Sequence, residues 1–267
     1  MPTLRSGPII GLIAQVVLLA GIAGTVGVGT AGWLVGIAYG VATAAGLSHG
    51  LNRTGTASAA SLGPADKVTL ARAILAGGVA ALAVDSLSRP VPVTVLVGLT
   101  IGALLLDAVD GYVARRTNTC SDLGARFDME IDAFLLLVLS VYLVPQVGVW
   151  VLAIGGMRYA FVLGIWTLPW MRATLPRRFW RKVVAATQGV ALVVGSAGVL
   201  PRTLTVAGLL VALILLVESF GRDVVWLWLQ RPLPVRGWTA VEPATVGARP
   251  VLLRGYAHER MYEETRT

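Results

Sequence analysis

Apolar and polar residues alternate along the chain in long blocks, and this pattern predicts eight membrane-spanning α-helices. Each apolar block has about the twenty residues that a helix needs to cross the hydrocarbon core of a bilayer. The blocks cover residues 8–27, 30–50, 66–87, 91–113, 127–145, 147–168, 183–199 and 203–221. Short segments with period-two alternation, which are typical of outer-membrane barrels, are absent from the sequence. The pattern therefore predicts an all-α, polytopic membrane protein.

A stretch rich in Ser, Thr, Gly and Ala at 51–65 separates the first two blocks from the other six. Such a composition is typical of a linker. We therefore expect a transmembrane helix pair at 1–50, the linker at 51–65, a six-helix core at 66–221 and a tail at 222–267. Within the tail we expect a short helix at 224–229. In the second block, Gly32, Gly36 and Gly40 recur at four-residue spacing and favour close helix packing within one molecule.

The composition agrees with a membrane protein, since 56% of the residues are hydrophobic and only 13% are charged, against about 25% in soluble domains. The net charge is +8. Arg89 and Arg202 fall on one side of the membrane and Arg158 lies within a span, while the other basic residues lie on or next to the side of both termini. By the positive-inside rule, that side is cytoplasmic. We expect a bacterial cell-membrane protein with affinity for anionic head groups and no nucleic-acid partner.

Four aspartates gather where the fourth and fifth blocks meet. Asp107 and Asp110 are spaced i,i+3, and Asp128 and Asp132 are spaced i,i+4, so each pair shares one face of a helix. Carboxylates at the ends of membrane helices are costly unless a cation or a proton compensates them. Hard divalent cations such as Mg²⁺ take oxygen ligands. The spacing therefore predicts a metal site with one ion or two at the cytoplasmic face.

The residues after the first pair favour a substrate beside the metal. Gly111 and Ala114 lie on the same helix face as Asp107, and two such small residues leave a trough. Arg115, at the predicted helix end, can reach a phosphate. A carboxylate beyond those that the metal needs can deprotonate an attacking hydroxyl. The alternative, that the aspartates only cap helices and pair with arginines, is the one that we expect for Asp122.

The stretch from Asp107 to Asp132 contains D-x2-D-G-x2-A-R-x8-G-x3-D-x3-D, which resembles the signature of the CDP-alcohol phosphotransferase family. The resemblance implies a six-helix core at 66–221 with its site at the cytoplasmic face, a homodimer, and Mg²⁺ or Mn²⁺ as two bound ions. It implies that Asp107, Asp110 and Asp128 are metal ligands. It further implies that Asp132 is the general base and also contacts a metal.

The resemblance also implies contacts to the CDP moiety. Two of the positions, Gly111 and Arg115, follow the first aspartate pair, and Ser121 precedes the second pair. Asp66 and Thr69 belong to the sequence DKVT, which fits a short motif before the family's first helix. Arg72 follows this sequence. We therefore expect the CDP-alcohol to contact Asp66, Thr69, Gly111, Arg115 and Ser121.

The implied reaction is attack by an acceptor hydroxyl on the phosphorus of the lipid-bearing phosphate of a CDP-alcohol, with release of CMP. We expect CDP-diacylglycerol as the donor, entering sideways from the bilayer. The sequence MEI between the last two aspartates, and Ala133 after them, match none of the best-known acceptor subgroups. We expect a phosphorylated polyol such as glycerol-3-phosphate or inositol phosphate. Its predicted contacts are Arg158, a functional candidate because it lies within a span, and Lys182, with Gln188 as a further candidate.

Two other functions stay open at this point. Intramembrane carboxylates also occur in metal- or proton-coupled transporters, although here they cluster at one interface and no repeat of broken helices is visible in the sequence. A catalytically idle membrane scaffold is the other alternative, and the intact aspartate motif argues against it.

Overall fold

The computed structural model describes residues 6–53, 64–117, 122–172 and 179–230. Within these ranges the chain forms eight α-helices, two short 3₁₀ helices and no strand. The α-helices are α1 (Ser6–Val26), α2 (Thr30–Arg53), α3 (Pro64–Asp85), α4 (Val93–Thr117), α5 (Asp122–Val147), α6 (Leu152–Thr167), α7 (Phe179–Ala197) and α8 (Arg202–Leu229). The 3₁₀ helices flank α6 at Val149–Val151 and Pro169–Arg172. The all-α fold predicted from the apolar blocks is confirmed.

Among the described residues, five segments are long and apolar enough to span a membrane. They are Gly7–Val26, Thr30–Gly50, Lys67–Asp85, Val149–Thr167 and Arg202–Leu229. Among the described side chains of α4, Val93–Asp107 form a shorter apolar segment. Helices α5 and α7 begin with charged turns. The five segments make the chain a multi-pass membrane protein.

Several helix ends differ from those predicted. Helix α8 continues without a break through Leu229, so residues 224–229 extend this helix rather than form a separate one. The segment between the fourth and fifth apolar blocks is also largely helical, because α4 runs to Thr117 and α5 begins at Asp122. The predicted linker is also helical at its edges, where α2 ends and α3 begins with a proline, a residue suited to the first helical turn. Residues 54–63 and the tail from 231 onward lie outside the described ranges.

Helix α3 lies at the centre of the bundle. Its apolar span is 67% buried, whereas the other four spans are 17–22% buried. Small side chains line it and let α1, α2, α4 and α5 approach closely. The buried residues of α3 include Ala73, Ala76, Val79, Ala80, Leu82 and Ala83. A polar side chain on α3 is therefore enclosed by several helices at once.

The glycines predicted to pack within one molecule let α2 approach both α1 and α3 closely. A Cβ added at Gly36 would lie 2.7 Å from a methyl carbon of Leu19, and one at Gly32 would lie 2.9 Å from the carbonyl oxygen of Ala81. At the end of α3, the buried Asp85 accepts hydrogen bonds from the N–H groups of Gly29 (2.6 Å) and Gly32 (2.8 Å). These contacts cap the start of α2 and confirm the intramolecular packing.

Helix α2 also contacts α5. The ring of Tyr39 stacks on that of Phe134, with centroids 4.2 Å apart and planes 15° from parallel. Phe134 follows Asp132 by two residues, so the N-terminal helix pair contacts the helix that carries two of the predicted site carboxylates. The pair therefore belongs to the same bundle as the six later helices.

Candidate active site

Three of the four predicted metal-ligand carboxylates come together between α4 and α5. Asp107, Asp128 and Asp132 each offer an oxygen, and these oxygens lie within 4.8 Å of one another. All three side chains are partly exposed, so the group is open on one side. The i,i+4 spacing of Asp128 and Asp132 places both on one face of α5, and both carboxylates form ion pairs with Arg72 of α3.

A buried arginine lies among these carboxylates. The Arg72 side chain is only 1% exposed, and its Nη1 lies 3.0 Å from an oxygen of Asp107. The same nitrogen forms an ion pair with Asp128, and Nη2 forms one with Asp132. Its Nε donates a hydrogen bond to the carbonyl oxygen of Ala103 on α4 (3.2 Å). The guanidinium therefore joins α3, α4 and α5 at the site.

Sequence reasoning placed Arg72 beside the DKVT motif but gave it no role in the site. A signal was present, since a charged residue within an apolar span is a functional candidate because of its insertion cost. Arg158 carries the same signal, and it was the residue that the sequence analysis selected. The contact with three aspartates depends on how α3 packs against α4 and α5, and residue spacing along one helix does not contain this information.

The donor set fits a hard divalent cation. It consists of carboxylate oxygens alone, which Mg²⁺ and Mn²⁺ accept and softer metals favour less. The three oxygens lie within 4.8 Å of one another, a separation that a cation with oxygen ligands at about 2.1 Å could span after small side-chain movements. Three carboxylates and one guanidinium carry a net charge of −3 + 1 = −2, which one divalent ion balances.

The structure describes the other predicted site residues to different extents. Thr69 is buried on α3, one turn before Arg72. Asp110, Gly111 and Arg115 lie on α4, and Asp66 lies in the first turn of α3. The side chains of those four, and the whole of Ser121, lie outside what the structure describes. The predicted nucleotide contacts therefore stay predictions, with Thr69 next to the site in the fold.

Arg158, the predicted acceptor contact, lies on α6 and not among the three carboxylates. Its side chain is 30% exposed and forms an ion pair with Glu130, and its Nη1 lies 3.7 Å from the sulfur of Met129. Glu130 stands between Asp128 and Asp132 in sequence but is turned about 200° from each around the helix axis. Sequence reasoning did not identify this partner, because it considered Glu130 only as a mismatch to known acceptor motifs.

The remaining acceptor candidates lie on α7. Lys182 is exposed near the start of this helix. Its neighbour Arg181 forms an ion pair with Asp223 on α8, with Nη2 and Oδ1 2.8 Å apart. Gln188 is buried and donates a hydrogen bond to the carbonyl oxygen of Ala212 (2.8 Å). Gln188 thus joins α7 to α8, which gives it a packing role that the sequence did not indicate.

A bundle of membrane helices with a group of carboxylates that could hold a metal ion defines a class, that of integral membrane proteins with an acidic candidate site. Within this class, the family model described as CDP-alcohol phosphatidyltransferase matches residues 62–229, which include α3 to α8 and Arg72 with the three aspartates. The protein belongs to the CDP-alcohol phosphatidyltransferase family. No curated protein and no solved structure matches the chain significantly.

Proposed function

We propose that this protein transfers a phosphatidyl group, or another substituted phosphate, from a CDP-alcohol to an acceptor hydroxyl and releases CMP. The observation that carries the proposal is the convergence of Asp107, Asp128 and Asp132 on one position within the segment that matches the family. A carboxylate group at that position suits phosphoryl transfer, in which the protein mainly positions the reactants and balances charge.

We propose that Asp107, Asp110 and Asp128 hold Mg²⁺ or Mn²⁺, with Asp132 as a further contact. Such ions, when bound, supply positive charge that neutralises the pyrophosphate and the leaving CMP. The ion pair between Arg72 and Asp132 fixes the orientation of the Asp132 carboxylate, and the partial exposure of this side chain leaves it open to a small molecule.

Asp132 is the general base in this proposal. Its carboxylate accepts the proton of the acceptor hydroxyl, and the hydroxyl oxygen forms a bond to the phosphorus that carries the lipid. The bond from this phosphorus to the bridging oxygen of the pyrophosphate breaks, and CMP leaves with that electron pair. The products are a phosphodiester and CMP, and the proton on Asp132 passes to solvent through the open side of the site.

For the donor we propose CDP-diacylglycerol, with its nucleotide on the cytoplasmic side. The basic residues near the start of α7 support this orientation through the positive-inside rule. For the acceptor we propose a phosphorylated polyol. The exposed Lys182 supports this choice, whereas Arg158 supports it less, because Glu130 already balances its charge.

The test uses the purified full chain in lipid nanodiscs with CDP-diacylglycerol, Mg²⁺ and a panel of alcohols and polyol phosphates. We expect metal-dependent release of CMP and one new lipid, both measured by mass spectrometry. Asp132→Asn should lower the rate about 10²- to 10⁴-fold, because the general base is lost. The matched control is Glu218→Gln, an acid-to-amide change on α8 beside Trp180 and Arg222. Absence of CMP with every acceptor, or full activity in Asp132→Asn, would contradict the proposal.

A further inference from the structure

Arg72 is enclosed far more than the carboxylates that it contacts. Its side chain is 1% exposed, whereas those of Asp107, Asp128 and Asp132 are 45%, 34% and 44% exposed. Burying a guanidinium is unfavourable unless ion pairs and hydrogen bonds replace its hydration. Here three carboxylates and the Ala103 carbonyl do so. The charge is therefore enclosed within the bundle beneath the open group of aspartates.

The contacts of the guanidinium bring together the two helices that carry the aspartates. Nη1 lies against Asp107 on α4 and Asp128 on α5, and Nη2 lies against Asp132 on α5. The oxygens that approach Arg72 belong to the same three residues whose oxygens lie at metal-ligand spacing. A divalent cation would therefore bind the same carboxylates that the guanidinium binds.

We propose that Arg72 is the resident counter-ion of this site. In the metal-free protein it holds Asp107, Asp128 and Asp132 together against their mutual repulsion, and it competes with a divalent cation for them. The inference rests on the metal-binding part of the proposed function. It assigns Arg72 a positioning role that acts through the aspartates.

If Arg72 has this role, its removal should lower the stability of the metal-free protein and raise the affinity for the cation. Without Arg72, the charge of the group changes from −2 to −3, so the metal-free protein becomes less stable. The same change removes a competitor, so the protein binds the divalent cation more tightly. An arginine that only stabilised the fold would produce the first effect without the second, because its loss would not favour the cation.

The test measures binding of Mn²⁺ to the full chain in nanodiscs by electron paramagnetic resonance, and thermal unfolding in chelator or in Mg²⁺. For Arg72→Met we expect a lower unfolding midpoint in chelator, a larger rise on adding Mg²⁺, and an apparent Kd for Mn²⁺ about tenfold lower than in the wild type, within the usual range of coupling between two sites. For Arg72→Lys we expect an unfolding midpoint and a Kd for Mn²⁺ between those of Arg72→Met and the wild type, because one ammonium keeps the charge but cannot span three carboxylates.

The matched control is Arg89→Met. Arg89 also pairs with a buried aspartate, Asp85, with Nη2 and Oδ2 3.0 Å apart, but it lies beyond the other end of α3. Asp85 is about 20 Å along the helix from Arg72, at 1.5 Å per residue. Arg89→Met should lower the unfolding midpoint and leave the Kd for Mn²⁺ at the wild-type value.

An unchanged or higher Kd in the Arg72 variants would overturn the inference, and Arg72→Lys decides this alone if Arg72→Met does not fold. Wild-type protein that binds no Mn²⁺ would overturn it as well. Release of CMP by the wild type together with unchanged Kd values would contradict only the inference. Tighter binding in the variants with no CMP from any acceptor would contradict only the proposed reaction.

Discussion

The two aspartates of α5 have different proposed roles, and single substitutions can separate them. Asp128 is a proposed ligand, so Asp128→Asn should raise the Mn²⁺ concentration for half-maximal transfer by about tenfold or more, since a neutral amide oxygen is a poorer ligand than a carboxylate. Saturating Mn²⁺ should restore much of the rate. Asp132→Asn should lower kcat at every Mn²⁺ concentration, because an amide cannot accept the proton. Transfer rates measured across an Mn²⁺ series decide the matter, and identical metal dependence in the two variants would contradict the division of roles.

The residues of the site could be predicted from sequence where their relation is local. Asp128 and Asp132 share a helix face at a spacing of four residues, so their proximity follows from helix geometry. Arg72 reaches the same site from α3, although it lies 56 residues before Asp128 and 60 residues before Asp132 in the chain. Its position depends on the small residues that let α3 enter the centre of the bundle, and this packing could not be derived from local spacing.

At Gly155, α6 lies directly against the backbone of α5. A Cβ added at Gly155 would lie 2.7 Å from the backbone nitrogen of Leu137 and 2.9 Å from the carbonyl oxygen of Leu136. Because these are backbone atoms, no side-chain rotation can relieve the overlap. Gly155→Ala should therefore separate the two helices and lower the free energy of unfolding by about 1–3 kcal/mol, the usual effect of overpacking.

Gly156 is the matched control for this substitution. It is the next residue on α6, and a Cβ added there meets nothing within 4 Å. Gly156→Ala should leave the stability unchanged or raise it slightly, since alanine favours the helix. Thermal unfolding of the two variants in the same nanodiscs provides the measurement. Equal midpoints would show that α5 and α6 tolerate a wider separation than their present contact indicates.

The helices themselves were predictable in number and order, whereas several of their ends were not. The apolar pattern marks where a helix leaves the hydrocarbon layer, and this point differs from where the helix ends. Helix α4 continues past Asp107 to Thr117, and α8 continues to Leu229 through charged residues such as Arg222 and Asp223. Backbone hydrogen bonds continue through these turns because the helical pattern needs no apolar side chain.

At the scale of the whole molecule, the family segment and the helix bundle have different limits. The family match begins at residue 62, but α1 and α2 lie before it and pack on α3 and α5. Asp85 binds the start of α2, and Tyr39 stacks on the helix that carries Asp132. The sequence predicted a separate N-terminal pair, and the packing makes this pair part of the surroundings of the site.

The orientation of the bundle in the membrane can be tested with the single cysteine of the chain. Cys120 lies between α4 and α5, on the side that the basic residues predict to be cytoplasmic. A membrane-impermeant maleimide should therefore label it in inverted vesicles and not in right-side-out vesicles. The control is Ser88→Cys in a Cys120→Ser background, since Ser88 is exposed beyond the opposite end of α3 and should show the reverse pattern. If both cysteines react from the same side, α4 does not cross the membrane as proposed, because α4 is the helix between the two positions. If the two patterns are exchanged, the carboxylates lie at the outer face, where a cytoplasmic CDP-alcohol could not reach them.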